Sequence, residues 1–170
     1  MTMQTSSVPW DRMGRCARLA WEHAVEARDS AALERQRPGI MTGHILLGVL
    51  EEPTCAGGLI LRKMGLDLEH ARDITRFVLF YGRRRNGEEE PLGEWMDQPH
   101  TPAALKVIEY ALEEAALFSP TYPIGTEHLL LGVLRASTGM GNGILAHFGI
   151  NQHQARAARD TFWDVLKLSE

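Results

Sequence analysis

Cysteine is scarce in this chain of 170 residues: Cys16 and Cys55 are the only two, and they form no CxxC pair. That excludes a cysteine zinc site and supplies no disulfide framework, so both are read as buried thiols. Long apolar runs are missing as well. None approaches the ~18 residues of a membrane span, and the opening "MTMQTSSVPWDRMGR" lacks the apolar core of a signal peptide. The expectations are no membrane and a cytoplasmic location. Positive charge is not in excess: 18 Lys and Arg stand against 22 Asp and Glu, which argues against nucleic acid as a partner. No GxxxxGK[ST] phosphate loop, HExxH or GxSxG is present, and no strand-like alternation of useful length. What is there is an ordinary globular composition, 44% hydrophobic and 24% charged, in a chain long enough to bury a core.

The informative presence is a repeat. "TGHILLGVL" near residue 42 returns as "TEHLLLGVL" near residue 126, and the match extends without a gap from Ile40–Arg72 to Ile124–Arg156. Upstream, the stripe Met13, Cys16, Ala17, Ala20 and Ala24 answers Ala104, Val107, Ile108, Ala111 and Ala115, with the three-to-four spacing of a helix. Each unit reads as four helices. Thr42 and Thr126 are N-cap candidates, Gly65 and Gly149 end the third helix in the left-handed conformation, and the fourth begins near Asp67 or Asn151. The fold class is all-α: two pseudo-symmetric four-helix repeats forming one compact eight-helix domain. Repeat one covers about 9–80 and repeat two about 101–167, joined over about 81–100 by a linker whose opposed charge clusters, Arg83–Arg85 and Glu88–Glu90, are read as solvated.

The stretches "TPAALKVIEYALEEA" and "YPIGTEHLLLGVLRASTGMGNGILAHFGI" closely resemble the double repeat of the Clp amino-terminal domain, carried by Clp unfoldases such as ClpA and ClpC. The resemblance runs from about Pro9 to Leu166. It implies a noncatalytic module that captures substrate or adaptor proteins for a Clp ATPase. With no phosphate loop here, it implies a free-standing, monomeric version without cofactor or metal. ClpC-type domains are similar in recognising phosphoarginine, with a Glu of "GTEH" facing the guanidinium and a Thr of "TP" at the phosphate. Carried onto this sequence, the ligand-binding pair is Thr101 and Glu127. The matching first half-site, Trp10 and Gly43, has neither side chain and is expected to be lost.

Simpler roles stand beside these. Glu127 in a first helical turn complements the helix dipole, and Thr101 before Pro102 is a natural N-cap. His44 and His128 recur in equivalent places, which favours a shared structural hydrogen bond. Trp10 is read as filling the vacated first groove rather than anchoring a partner. Two other readings stay open: an interaction domain in an unrelated stress or regulatory pathway, and a small hydrolase that no nucleophile or metal motif supports.

Overall fold

The three-to-four spacing becomes eight α-helices in the computed structural model, which describes residues 8–31, 39–81 and 100–167. In chain order they are α1 (Arg15–Ala31), α2 (Thr42–Glu51), α3 (Ala56–Lys63), α4 (Leu68–Tyr81), α5 (Pro102–Ala116), α6 (Thr126–Arg135), α7 (Met140–His147) and α8 (Gln152–Lys167). A 3-10 turn over Trp10–Arg12 precedes α1. No strand forms among the described residues, and the proposed linker falls almost wholly outside them. Among the described residues no single helix is long and apolar enough to cross a membrane.

The chain punctuation acts locally as its chemistry requires. Gly65 and Gly149 have φ of +86° and +74°, a region that only glycine enters without strain, and α3 and α7 stop there. The Asp67 carboxylate accepts the amides of Glu69 and His70 to open α4, and Asn151 accepts that of Gln154 to open α8. Thr101 caps α5, its hydroxyl accepting the Ala104 amide at 3.2 Å with Pro102 in the first helical position.

The middle of the molecule is α2 and α6. Thr42–Leu50 and Thr126–Leu134 are buried throughout, because the runs Ile45–Leu50 and Leu129–Leu134 are apolar on every side and must be enclosed. Each lies tightly against the first helix of its own repeat. Gly48 meets the Ala20 carbonyl, and Gly132 meets the Val107 carbonyl, where an added Cβ would stand 2.5 Å from the oxygen. The repeats interlock by exchange. Thr42 Oγ1 accepts the Gly141 amide at 2.9 Å, and Thr126 Oγ1 accepts the Gly57 amide at 2.9 Å. Thr42 and Thr126 are thus not the N-caps expected from sequence; Met41 and Gly125 hold those positions, and the hydroxyls serve the opposite repeat. Since Gly141 follows the carboxyl end of α6, the exchange places the amino end of α2 beside that end. The two central helices run antiparallel, their amino ends about 14 Å apart for ten residues each.

The cysteines correct a second expectation. Cys16 in the first turn of α1 and Cys55, the N-cap of α3, are joined as a disulfide across 39 positions of sequence, with Cα atoms 6.1 Å apart. Spacing alone carried no sign of it, because the pair meets only once α1 and α3 have both packed against α2 and α6.

Candidate functional site

The structure separates the two residues expected to bind together. Thr101 donates its amide to the Ile40 carbonyl at 2.9 Å, so it stands at the amino end of α2, beside Gly43 in the other repeat. Glu127 stands at the amino end of α6. The segment before it is paired with the start of α1: Ile124 donates to the Arg12 carbonyl at 2.7 Å, and Gly14 donates to the Ile124 carbonyl at 2.9 Å. Both half-sites are therefore composites of one repeat's second helix and the other repeat's first. Thr101 and Glu127 lie on opposite composites, about one helix length apart. A phosphorylated guanidinium is only a few bonds long and does not reach from one to the other.

The counterpart of Thr101 is also not Trp10. Ala20 packs on Gly48 as Val107 packs on Gly132, and this register sets Gly14 opposite Thr101. The sequence alignment was displaced by four residues, about one helical turn, a shift under which a three-to-four stripe resembles itself. Trp10 sits in the 3-10 turn, 45% exposed, with its carbonyl accepting from Arg18 Nη2 at 2.7 Å. It does not fill the first groove. That space beside Gly43 is held by Leu79 of α4 and Met140 of α7, whose Cδ2 and Sδ stand 3.0 and 3.1 Å from where a Cβ would be. A glutamate at Gly43 would have to displace both.

At the second composite, Glu127 is 4% exposed. Its carboxylate folds back over Gly125, which has no side chain to obstruct it. Burial raises the pKa of Glu127, while its own backbone amide and the charge of Arg159 pull the other way. Burial, then the Glu127 charge, likewise pushes Tyr122 up. The neighbour His128 is fully buried, and its Nδ1 accepts the Gly125 amide at 2.9 Å, as His44 Nδ1 accepts that of Met41 at 3.0 Å. The shared structural bond expected for the two histidines is present. With Nδ1 an acceptor, the ring proton is on Nε2, so the 3.6 Å approach of Nδ1 to Glu127 is not an ion pair. Burial, reinforced by Arg159 and opposed by Glu114, lowers the His128 pKa to about 4 and keeps the ring neutral.

Beside these lies an aromatic wall that sequence reading did not single out. Phe118 packs at 5.1 Å from Tyr122, 5.9 Å from His128 and 6.5 Å from Trp163, with the Arg159 guanidinium 5.6 Å from its ring centre. Arg159 is anchored by Glu114, which is 1% exposed and takes three guanidinium groups: Arg135 at 3.1 Å, Arg159 at 3.0 Å, and Arg156. In repeat one the equivalent of Arg156 is Arg72, which pairs at 3.4 Å with Glu51 on α2. The position of the arginine is preserved, but its carboxylate has moved from α2 to α5. Burial opposes ionisation of Glu114, yet Arg156 and Arg159 outweigh it and hold its pKa below the ordinary value.

The raised pKa makes the role of Glu127 measurable. A buried carboxylate ionises less readily than in the unfolded chain, so at pH 7 its charge costs stability, and the cost fades as pH falls through its folded pKa. Glu127→Gln is expected to raise the thermal midpoint at pH 7 and to leave it unchanged well below the ordinary 4.5. A fall of about 0.3–1 kcal/mol at pH 7 would instead assign the carboxylate to the helix dipole.

Among the described residues no cluster of His, Cys, Asp and Glu could hold a metal ion. No protein-family model matches the chain. The chain is 32% identical over 139 residues to the ATP-dependent Clp protease ATP-binding subunit ClpA homolog of Cyanidium caldarium, and 34% identical over 138 residues to the chloroplastic chaperone protein ClpC2 of Oryza sativa subsp. japonica. These alignments take in 80% and 79% of this chain but only 15% and 14% of those proteins. The crystal structure of the N-terminal domain of ClpD from Arabidopsis thaliana superposes with a TM-score of 0.67, covering 93% of this chain and 98% of that one at 20% identity. Helix order, doubled repeat and these matches agree: the chain is a Clp N-domain-like protein, similar over about four fifths of its length to Clp chaperone subunits and in fold to the N-terminal domain of ClpD.

Proposed function

We propose that this chain is a noncatalytic capture module that binds substrate or adaptor proteins for a Clp ATPase in the cytoplasm. The observation that carries the reading is the alignment to the ClpA homolog and ClpC2 over four fifths of this chain, on a fold that superposes on a Clp N-terminal domain. Its capture chemistry is asymmetric. Only the α6–α1 composite keeps a carboxylate, Glu127, able to accept charge-assisted bonds from a guanidinium. The phosphate of a phosphoarginine side chain would then be met not by Thr101 but by the amino end of α1, where the helix presents unpaired amides. A shallow open groove of about 390 Å³ leads along α1 from that point, lined by Met13, Arg15, Arg18, Leu19 and Glu22. The α2–α5 composite keeps Thr101 but is closed beside Gly43 by Leu79 and Met140.

Titration with free phosphoarginine, followed by calorimetry and amide NMR, tests the assignment. One site is expected, lost in Glu127→Ala and retained in Thr101→Val. Equal losses in both variants would restore a joint Thr101–Glu127 site, and two equal sites would overturn the asymmetry. Absence of binding would remove phosphoarginine from the reading, leaving direct binding to a Clp ATPase as its test.

A further inference from the structure

The disulfide stands at the α6–α1 composite and goes beyond what the capture reading requires. Cys16 is the second residue of α1, the helix whose start is paired with Ile124. Cys55 caps α3, and two residues later Gly57 gives its amide to Thr126, the neighbour of Glu127. A Cβ on Gly57 would lie 2.8 Å from the Thr126 carbonyl, so the first turns of α3 and α6 are in contact through backbone. The bond therefore clamps together two of the elements that frame Glu127. A cytoplasmic setting keeps thiols reduced, and disulfides found there are transient, catalytic or redox-sensing rather than permanent staples.

We infer that Cys16 and Cys55 form a reversible thiol–disulfide site whose oxidation state sets the geometry of the Thr126–Glu127 turn. The exchange partner is a low-molecular-weight thiol and its disulfide. The reductant thiolate attacks Cys16, the half-buried member of the pair; the Cys16–Cys55 bond breaks and its electron pair leaves on Cys55. Cys55 is 8% exposed and sits at the amino end of α3, where a helix favours a departing thiolate. Glu52 Oε2 stands 3.8 Å from its sulfur, and the other oxygen of Glu52 is 3.0 Å from His23 Nε2, so the carboxylate beside the sulfur that takes up the proton is itself held by an imidazole. A second thiolate attacks the sulfur of the bound reductant, releasing Cys16 as thiolate and the reductant as its own disulfide. Two electrons pass to the protein, and two reductant thiols are oxidised to one disulfide.

The test needs no ligand, so its failure is separate from failure of the capture reading. Protein equilibrated with oxidised glutathione should show no alkylatable thiol, and two after dithiothreitol. Reduction should lower the thermal midpoint by about 11 °C, as expected for opening a loop of this length. It should also move the amide resonances of Gly57, Thr126 and Glu127, and reoxidation should return them. The Cys16→Ser, Cys55→Ser double variant should show the reduced pattern and ignore dithiothreitol; if it does not fold, Cys16→Ser alone serves the same comparison. Two reactive thiols after oxidised glutathione, a bond that dithiothreitol leaves intact in the folded protein, or resonance changes confined to the cysteines and their chain neighbours would each overturn the proposal.

Discussion

Gly48→Ala is expected to unfold the protein or to cost more than about 4 kcal/mol, from the addition of one methyl group. The Cβ at this position would lie well inside contact distance of the Ala20 carbonyl oxygen, with the carbonyl carbon 2.8 Å away. Both obstructing atoms are backbone in α1, so no rotamer change relieves the overlap. The helix itself must move, and α1 is tied at its start to Ile124 and through Cys16 to α3. Urea unfolding measures the effect. Gly143→Ala in α7 supplies the contrast, because nothing lies within 4 Å of its added Cβ. There the usual helix preference for alanine should apply, with a gain of about 0.5–1 kcal/mol. Equal effects at the two positions would mean that α1 is not held where the structure places it.

Glu114→Ala comes next in size, at about 3–5 kcal/mol, because it leaves buried guanidinium charge without its acceptor. Arg159 suffers most. Its side chain is 8% exposed, and of its two carboxylate partners the remaining one, Asp160, is 61% exposed. The corresponding cut in repeat one, Glu51→Ala, should cost about 1 kcal/mol or less, since Arg76 is half exposed and solvent replaces the pair. The pH dependence has a definite sign. The folded-state pKa of Glu114 lies below its ordinary 4.5, so its contribution is fully present above that value and is lost as pH falls through the folded pKa. Chemical denaturation between pH 7 and pH 3 should therefore show the wild type converging on the variant in acid. A constant gap across that range would detach the cost from the ionised carboxylate.

The helices were legible because their signals are local. Apolar spacing, Pro102 after Thr101, and glycines at 65 and 149 each act within a turn or two of chain, and the structure uses them as read. The histidine bonds were legible because the same residue in the same place twice invites the same explanation. What the sequence hid was everything that crosses between repeats. When two halves carry the same letters, a contact within one half and the same contact across the two leave the same trace. Thr101 was thus assigned to Glu127 when it belongs beside Gly43, and Thr42 was read as closing its own helix when its hydroxyl closes α7. The choice of Trp10 over Gly14 had another cause: an alanine-rich stripe has little to fix its register, and only packing against Gly48 does so. The disulfide was out of reach because it depends on both positions at once.

The threonine exchange also bears on how such a molecule can be divided. Thr42 serves Gly141 and Thr126 serves Gly57 by the same bond given in opposite directions, which is the pattern of an isologous contact about a twofold axis. One repeat alone would expose the apolar sides of its second helix and leave both an amide and a hydroxyl without their partners. Two copies of a single repeat could satisfy each other as these halves do. In symmetry terms the chain is a dimer made covalent, and its joined halves differ, the second carrying both the threonine and the carboxylate and the first neither.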